Sequence, residues 1–259
     1  MNITKLDNNI NFNARCVQVR DADWVCRTIS QNFPHFSPTK QQTRIIKFLE
    51  KNKNSIKFNK QPKTLSDVYE ILLNNKNCIK NSTVKSFLDN IKKTLTLFAD
   101  KRILAQTFMQ GDKLYESLFM VENFKLGNCS ENAVLAEFIL KLNNIHNACC
   151  AAMYKKKHNN FEDLDHAICV FNRDGKPFDG NITKNTIIVD PWVGKADFAK
   201  NMERFYRDNF SNYFNINKDE TFAYERAETV NLPDFALAKL KDNYSNLIFK
   251  NKNRKFMQK

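Results

Sequence analysis

The chain has 259 residues, 42% hydrophobic and 12% aromatic, enough to bury a sizeable core in one large domain or two small ones; this excludes a disordered protein. Its formal net charge of +13 is spread among many Asn, with no nucleic-acid-reading motif beside it, so specific nucleic-acid recognition is disfavoured. A solvated basic surface open to an acidic partner or an anionic membrane is expected, and no apolar stretch approaches the ~20 residues that span a bilayer.

The first half reads as helical. Cys16 to Arg20 alternates weakly like a short strand, and Pro34 and Pro38 make Phe33 to Pro38 a linker. Ile45, Ile46 and Leu49 place a helical stripe on Thr39 to Lys51. A second helix is expected from about Ser66 to Asn74, with Thr64 and Asp67 spaced like a capping box. Ser82 to Phe98 is the clearest amphipathic helix, since Val84, Phe87, Leu88, Ile91, Leu95 and Phe98 repeat at helical spacing. Further helix follows over Asp100 to Met109 and, after Gly111, over Asp112 to Val121. Residues 1–121 are therefore expected to be a mainly helical N-terminal extension, and 122–259 the core with C-terminal helices.

Gly127 then delivers Cys129 onto the first turn of a strongly apolar helix that stops near Leu142, at Asn143-Asn144. Ala133, Leu135, Ala136, Phe138, Ile139 and Leu140 make it apolar over more than half its circumference, as befits a central helix. Strands are expected over Asn147 to Tyr154, Asp165 to Phe171 and Thr186 to Asp190. Lys155 to Asn160 between the first two reads as a solvated loop, and Asn172 to Thr186 as an extended hairpin loop. After Trp192 and Gly194 come an expected helix from Lys195 to about Asn209, a loop at Tyr213-Phe214, and a last helix over Asp234 to Ile248. Phe235, Leu237, Leu240 and Leu247 are its buried positions. The basic tail from Lys250 is expected to fray.

Seven cysteines, an odd number mostly set in apolar runs, suggest a reducing compartment, and Met1 to Asp7 has no signal-peptide apolar region. A cytosolic site of action is expected. Few glycines and abundant Asn, Lys and Phe are consistent with an AT-rich bacterial genome. Coupled with the Cys-His-Asp order described next, an effector secreted into a host cytosol is the expectation by analogy.

Cys129, His166 and Asp190 carry the candidate chemistry. Free amides and the positive macrodipole end at a helix start favour the thiolate, the reactive form of a cysteine. His166 near the start of a buried strand supplies a base, and a carboxylate at a neighbouring strand end can fix its tautomer. The Cys129 thiol is expected to be accessible and to contribute little packing. Neighbours on a strand face opposite ways, so either Asp165 or His166 points at the thiol, and His166 is the choice. For an oxyanion, the candidate donors are the Cys129 backbone amide with Asn123, six residues before it, or Asn128. Trp192 is a candidate wall for substrate. Cys129, His146, Cys149, Cys150, His158 and His166 lack the paired spacing that structural zinc prefers, so no metal is expected. Neither a phosphate-cradling nor a dinucleotide-binding glycine motif is present, and no cofactor is expected.

The segment from Gly127 to Trp192 resembles the core of the transglutaminase-like branch of the papain-like cysteine enzymes, in which the cysteine helix reads roughly Cys-x-x-x-Ala-x-Leu-x-x-x-Leu. Here it offers Cys129, Ala133, Leu135 and Ile139, followed by Ile145 to Ala148, a "His-Ala" strand at His166 and an "Asp-Pro" strand end at Asp190. The resemblance covers about a quarter of the chain. It implies an α+β fold, with a papain-like antiparallel sheet and a catalytic helix, and assigns Cys129 as nucleophile, His166 as base and Asp190 as the residue orienting it. The interval between His166 and Asp190 is longer than the family's usual one, and Asn172 to Thr186 supplies the excess. The implied activity is attack on an amide bond of a protein substrate, with glutamine deamidation preferred and proteolysis or transglutamination as alternatives. A non-catalytic basic binding module is the rival.

Overall fold

The computed structural model describes residues 19–35, 37, 51, 65–75, 97, 100–109, 112–227 and 234–249. The strand expected at Cys16 lies mostly outside them, and its last residues, 19 and 20, are helical. The helices expected over Thr39 to Lys51 and Ser82 to Phe98 lie outside them but for isolated residues, as do Thr64 of the capping box and the tail. The protein is α+β, mixing helices with an antiparallel sheet. It divides into two compact units, Met1–Asn32 with Asn132–Lys259, and Phe33–Glu131. Among the described residues no helix is long and apolar enough to cross a membrane.

The unit Phe33–Glu131 holds helices α2 (Leu65–Asn74), α3 (residues 100–109) and α4 (Lys113–Phe124). Asp112 caps α4 by accepting the N–H groups of Leu114 and Tyr115, which otherwise lack intrahelical partners. Lys125 ends it in the left-handed region, φ 55°. Ala105 of α3, Met120 of α4 and Leu126 form a small core, with Phe119 and Phe124 stacked edge-on against each other at 5.3 Å.

The other unit is built on a five-stranded sheet in the order β4-β3-β2-β1-β5, every neighbouring pair antiparallel. The strands are β1 (Cys149–Lys157), β2 (Asn160–Asn172), β3 (Thr186–Asp190), β4 (Lys195–Phe198) and β5 (Thr221–Arg226). Helix α1 (residues 19–32) precedes them, and α5 (Cys129–Leu142) begins in the unit Phe33–Glu131 and enters this one at Asn132. Helix α6 (Ala199–Phe214) lies between β4 and β5, and α7 (Asp234–Asn243) with a 3-10 turn (Ser245–Leu247) closes the described chain. Strand alternation sends Cys149, Ala151, Met153, Ile168, Val170 and Ile188 to one face, where they form a core with Ala199, Met202, Tyr206 and Phe214 of α6.

Four expectations are corrected here. Lys155 to Asn160 is not a solvated loop: β1 and β2 run almost to a tight turn at His158 (φ 55°) and Asn159. Lys155 points inward, pairing with Glu162 at 2.9 Å and Glu220 at 3.9 Å, so a lysine run alternates like any strand. The helix expected from Lys195 starts only at Ala199. Gly194, at φ 80°, closes a turn onto the Asp190 carbonyl and lets Lys195–Phe198 pair with β3 first. Tyr213-Phe214 is the last turn of α6 rather than a loop. The final helix stops at Asn243, although Leu240 and Leu247 are buried as expected; the Phe235 and Leu237 side chains lie outside the described ones.

Burial in this unit predicts alkaline lability. Burial, then the Glu137 charge, pushes the Cys149 thiol up to about 11, and burial likewise raises Cys26, Cys150, Cys169, Tyr206 and Tyr224 well above their ordinary values. The folded chain therefore holds protons that the unfolded chain releases. This stability is complete below the unfolded thiol value of ~8.5 and drains as pH rises through the folded values. Each such proton contributes a slope of about 1.4 kcal/mol per pH unit. Urea midpoints measured from pH 8 to 11 should fall steeply, and Cys149→Ala should flatten the fall by one proton's slope.

Candidate active site

Cys129 is the first residue of α5. Glu131 reaches back two residues beyond it, its carboxylate accepting the Asn128 backbone N–H at 2.7 Å, which is half of a capping box. Arg102 pairs with Glu131 and donates to the Ser130 hydroxyl at 3.0 Å, so the helix start is braced from α3. Gly127 has a steric rather than a conformational role: a Cβ there would come within 3.0 Å of the His35 ring and 3.2 Å of Val121. The left-handed residue in this turn is Lys125. The expected accessible thiol is corrected, since Cys129 is only 8% exposed and contributes packing.

The two oxyanion candidates belong to this same unit. The Asn123 amide donates to the Phe119 carbonyl one turn back, at 3.2 Å. The Asn128 side-chain oxygen accepts from Ser37 at 3.3 Å.

His166 and Asp190 lie in the sheet unit, on β2 and β3. A bulge sets Asp165 and His166 apart: Met153 pairs with His166 but Tyr154 with Asp163, leaving Leu164 and Asp165 as extra residues. Asp165 takes the left-handed conformation, φ 48°, and is exposed, while His166 resumes the pairing and is buried. Its Nε2 bonds Asp190 Oδ2 at 2.7 Å, with the two side chains 0% and 1% exposed. Asp190 uses every lone pair it has there. Oδ1 accepts the backbone N–H groups of Trp192 at 3.0 Å and Val193 at 3.2 Å, and Oδ2 also accepts the Tyr206 hydroxyl at 2.8 Å. A carboxylate so held fixes Nε2 as the protonated nitrogen and leaves Nδ1 as the basic one.

Aromatic rings enclose the imidazole. Trp192 lies edge-on at 5.1 Å, Phe214 at 5.3 Å and Tyr206 at 6.4 Å, and Tyr213 and Phe210 back the indole at 5.1 and 5.9 Å. The structure thus brings His166, Asp190 and Trp192 together; Cys129, Asn123 and Asn128 lie in the other unit.

Sequence reasoning missed two members of the cluster. Tyr206 sits on the buried stripe of α6, and no local pattern reveals that its hydroxyl meets an aspartate. Cys26 of α1 hydrogen-bonds with the Asp190 backbone; burial, then the Asp190 and Asp23 charges, raises its thiol, which suits a neutral packing residue rather than a nucleophile. Among the described residues no three His, Cys, Asp or Glu side chains are grouped to hold a metal ion. No protein-family model, curated protein or solved structure matches the chain.

Proposed function

We propose that the chain is a thiol hydrolase with a papain-like, transglutaminase-like core, which deamidates a glutamine of a protein substrate. Cys129 is the nucleophile, His166 the base and Asp190 the group that orients it. The observation that carries this reading is the buried 2.7 Å bond between His166 and Asp190 on neighbouring strands, downstream of a helix that starts with a cysteine.

The chemistry runs in two halves. His166 Nδ1 takes the Cys129 proton, the sulfur attacks the side-chain carbonyl, and the oxyanion is met by the Cys129 backbone amide. The proton passes to the departing ammonia as the tetrahedral adduct collapses to a thioester. Water, deprotonated by the same nitrogen, then releases glutamate and free thiol. The aromatic enclosure keeps the dyad dry, so its charge interactions are stronger than in water. A net charge of +13 suits an acidic partner, and the substrate class is a host protein met in a cytosol after delivery as a bacterial effector.

The rate of iodoacetamide labelling at Cys129 against pH, read by mass spectrometry in wild type and in His166→Ala, tests the pairing. Fast labelling at pH 6 that falls by at least ~10-fold in the variant is expected of a base-activated thiol. Labelling that follows an ordinary thiol in both proteins overturns the enzyme reading in favour of a basic binding module.

A further inference from the structure

A second thiol chemistry lies in the sheet, independent of Cys129. Cys150 on β1 and Cys169 on β2 are register partners, so their side chains stand on the same face. Directly opposed residues in an antiparallel pair either exchange both backbone hydrogen bonds or exchange none, and in the second kind the Cα atoms are only about 4.5 Å apart. The backbone of Cys150 decides between the two. Its carbonyl accepts from Ala227 N at 3.0 Å, beyond the end of β5, and its N–H donates to the Glu137 carboxylate at 3.1 Å. Both groups are therefore turned away from β2, and the pair is of the close, non-hydrogen-bonded kind. A disulfide needs Cα atoms roughly 4.4–6.8 Å apart, a range this kind of pair meets. Both sulfurs are unbridged.

We infer that Cys150 and Cys169 form a redox-modifiable thiol pair, closed by a hydroperoxide into a cross-strand disulfide that staples β1 to β2. Cys150 is 6% exposed and Cys169 0%, so peroxide meets Cys150 first. The Cys150 proton passes to the Glu137 carboxylate, with which the thiol shares a hydrogen bond. Its sulfur attacks the O–O bond to give a sulfenic acid, and the departing hydroxide leaves as water once protonated. The Cys169 sulfur, losing its proton, then displaces the hydroxyl as a second water, and the S–S bond forms. In sum two thiols lose two protons and two electrons, and one hydrogen peroxide becomes two waters. Cys149 takes no part, because strand alternation turns it to the opposite face, into the core with α6. Burial raises both thiols, so closure should be slow at neutral pH and quicken as pH rises.

The test uses the full chain with Cys129→Ser, so that no nucleophilic thiol there competes, treated with hydrogen peroxide at pH 8 and 9. Remaining thiols are then alkylated in denaturant and the chain digested without reduction. The expected product is one cross-linked peptide pair joining Cys150 to Cys169, with two fewer alkylatable thiols and faster closure at pH 9. In Cys129→Ser with Cys169→Ala added, Cys150 should stop at the sulfenic acid and be trapped by dimedone. A cross-link that joins other cysteines, or Cys150 and Cys169 both still alkylatable after exhaustive treatment at pH 9, overturns the inference. Neither outcome bears on Cys129, so this pair and the proposed hydrolase stand or fall separately.

Discussion

Replacing Asp190 with alanine is expected to lower stability by about 3–5 kcal/mol, the range for stripping a buried charged group from its partners. The carboxylate is buried and serves four donors: the N–H groups of Trp192 and Val193, His166 Nε2 and the Tyr206 hydroxyl. Alanine leaves all four without that acceptor in a dry site, and each stranded group costs roughly 1–3 kcal/mol before relaxation. Tyr206→Phe gives the scale for comparison. It removes one donor and strands nothing, because Oδ2 keeps His166, so a loss of about 1 kcal/mol is expected. Urea denaturation of both variants checks the ratio, and equal losses would remove Asp190 from the centre of this network.

Asp190→Asn separates the two roles of the carboxylate. An asparagine oxygen can still hold the turn through the Trp192 and Val193 amides, so most of the stability should return. Its amide nitrogen would then face His166 Nε2 with a donor, forcing the imidazole into the opposite tautomer and moving the proton onto the nitrogen proposed as the base. Under the proposed function, Cys129 labelling at pH 6 should be as slow in this variant as in His166→Ala.

What was legible in the sequence follows from the kind of signal each element carries. Helix α5 and strand β3 announce themselves by long apolar runs with clear ends, and β3 spans Thr186–Asp190 as read. Strand β4 has no such boundary. It is four residues long and passes straight into α6 at Phe198, where no side chain caps the helix, so a helical pattern read backwards swallows it. The β1–β2 turn lacks glycine, and a lysine run masks the fact that Lys155 is buried and paired. Strand β5 carries a plain strand signal, Phe222 and Tyr224 alternating with exposed or half-buried neighbours. At the candidate site, the order of strands is local information, whereas Tyr206 and Cys26 reach Asp190 only through packing. The Asn128-to-Glu131 spacing before an apolar helix was a readable capping signal of its own.

Glu137 should be the other costly position. It lies in the middle of α5, 0% exposed, with one carboxylate oxygen on Lys141 Nζ at 2.6 Å and the other on the Cys150 N–H at 3.1 Å. The second bond matters for the fold because it fastens this helix to β1 where the β1–β5 ladder has not yet begun. Glu137→Ala takes this acceptor away from both donors, Lys141 and the Cys150 N–H, and a loss of about 3 kcal/mol is expected. That is the low end of the range for a broken buried pair, because the Lys141 side chain keeps 13% exposure and can turn its ammonium toward water. Glu137→Gln keeps an acceptor for Cys150 and should lose only about half as much. Replacing Glu137 and Lys141 together by leucine removes the cost of burying charge along with the pair, and should recover much of the loss. Hydrogen exchange at the Cys150 amide reads the fastening directly. It should quicken in Glu137→Ala and in the double leucine variant alike, even where the latter regains stability, because leucine offers that N–H no acceptor. An unchanged exchange rate would mean that β1 is held there by packing alone.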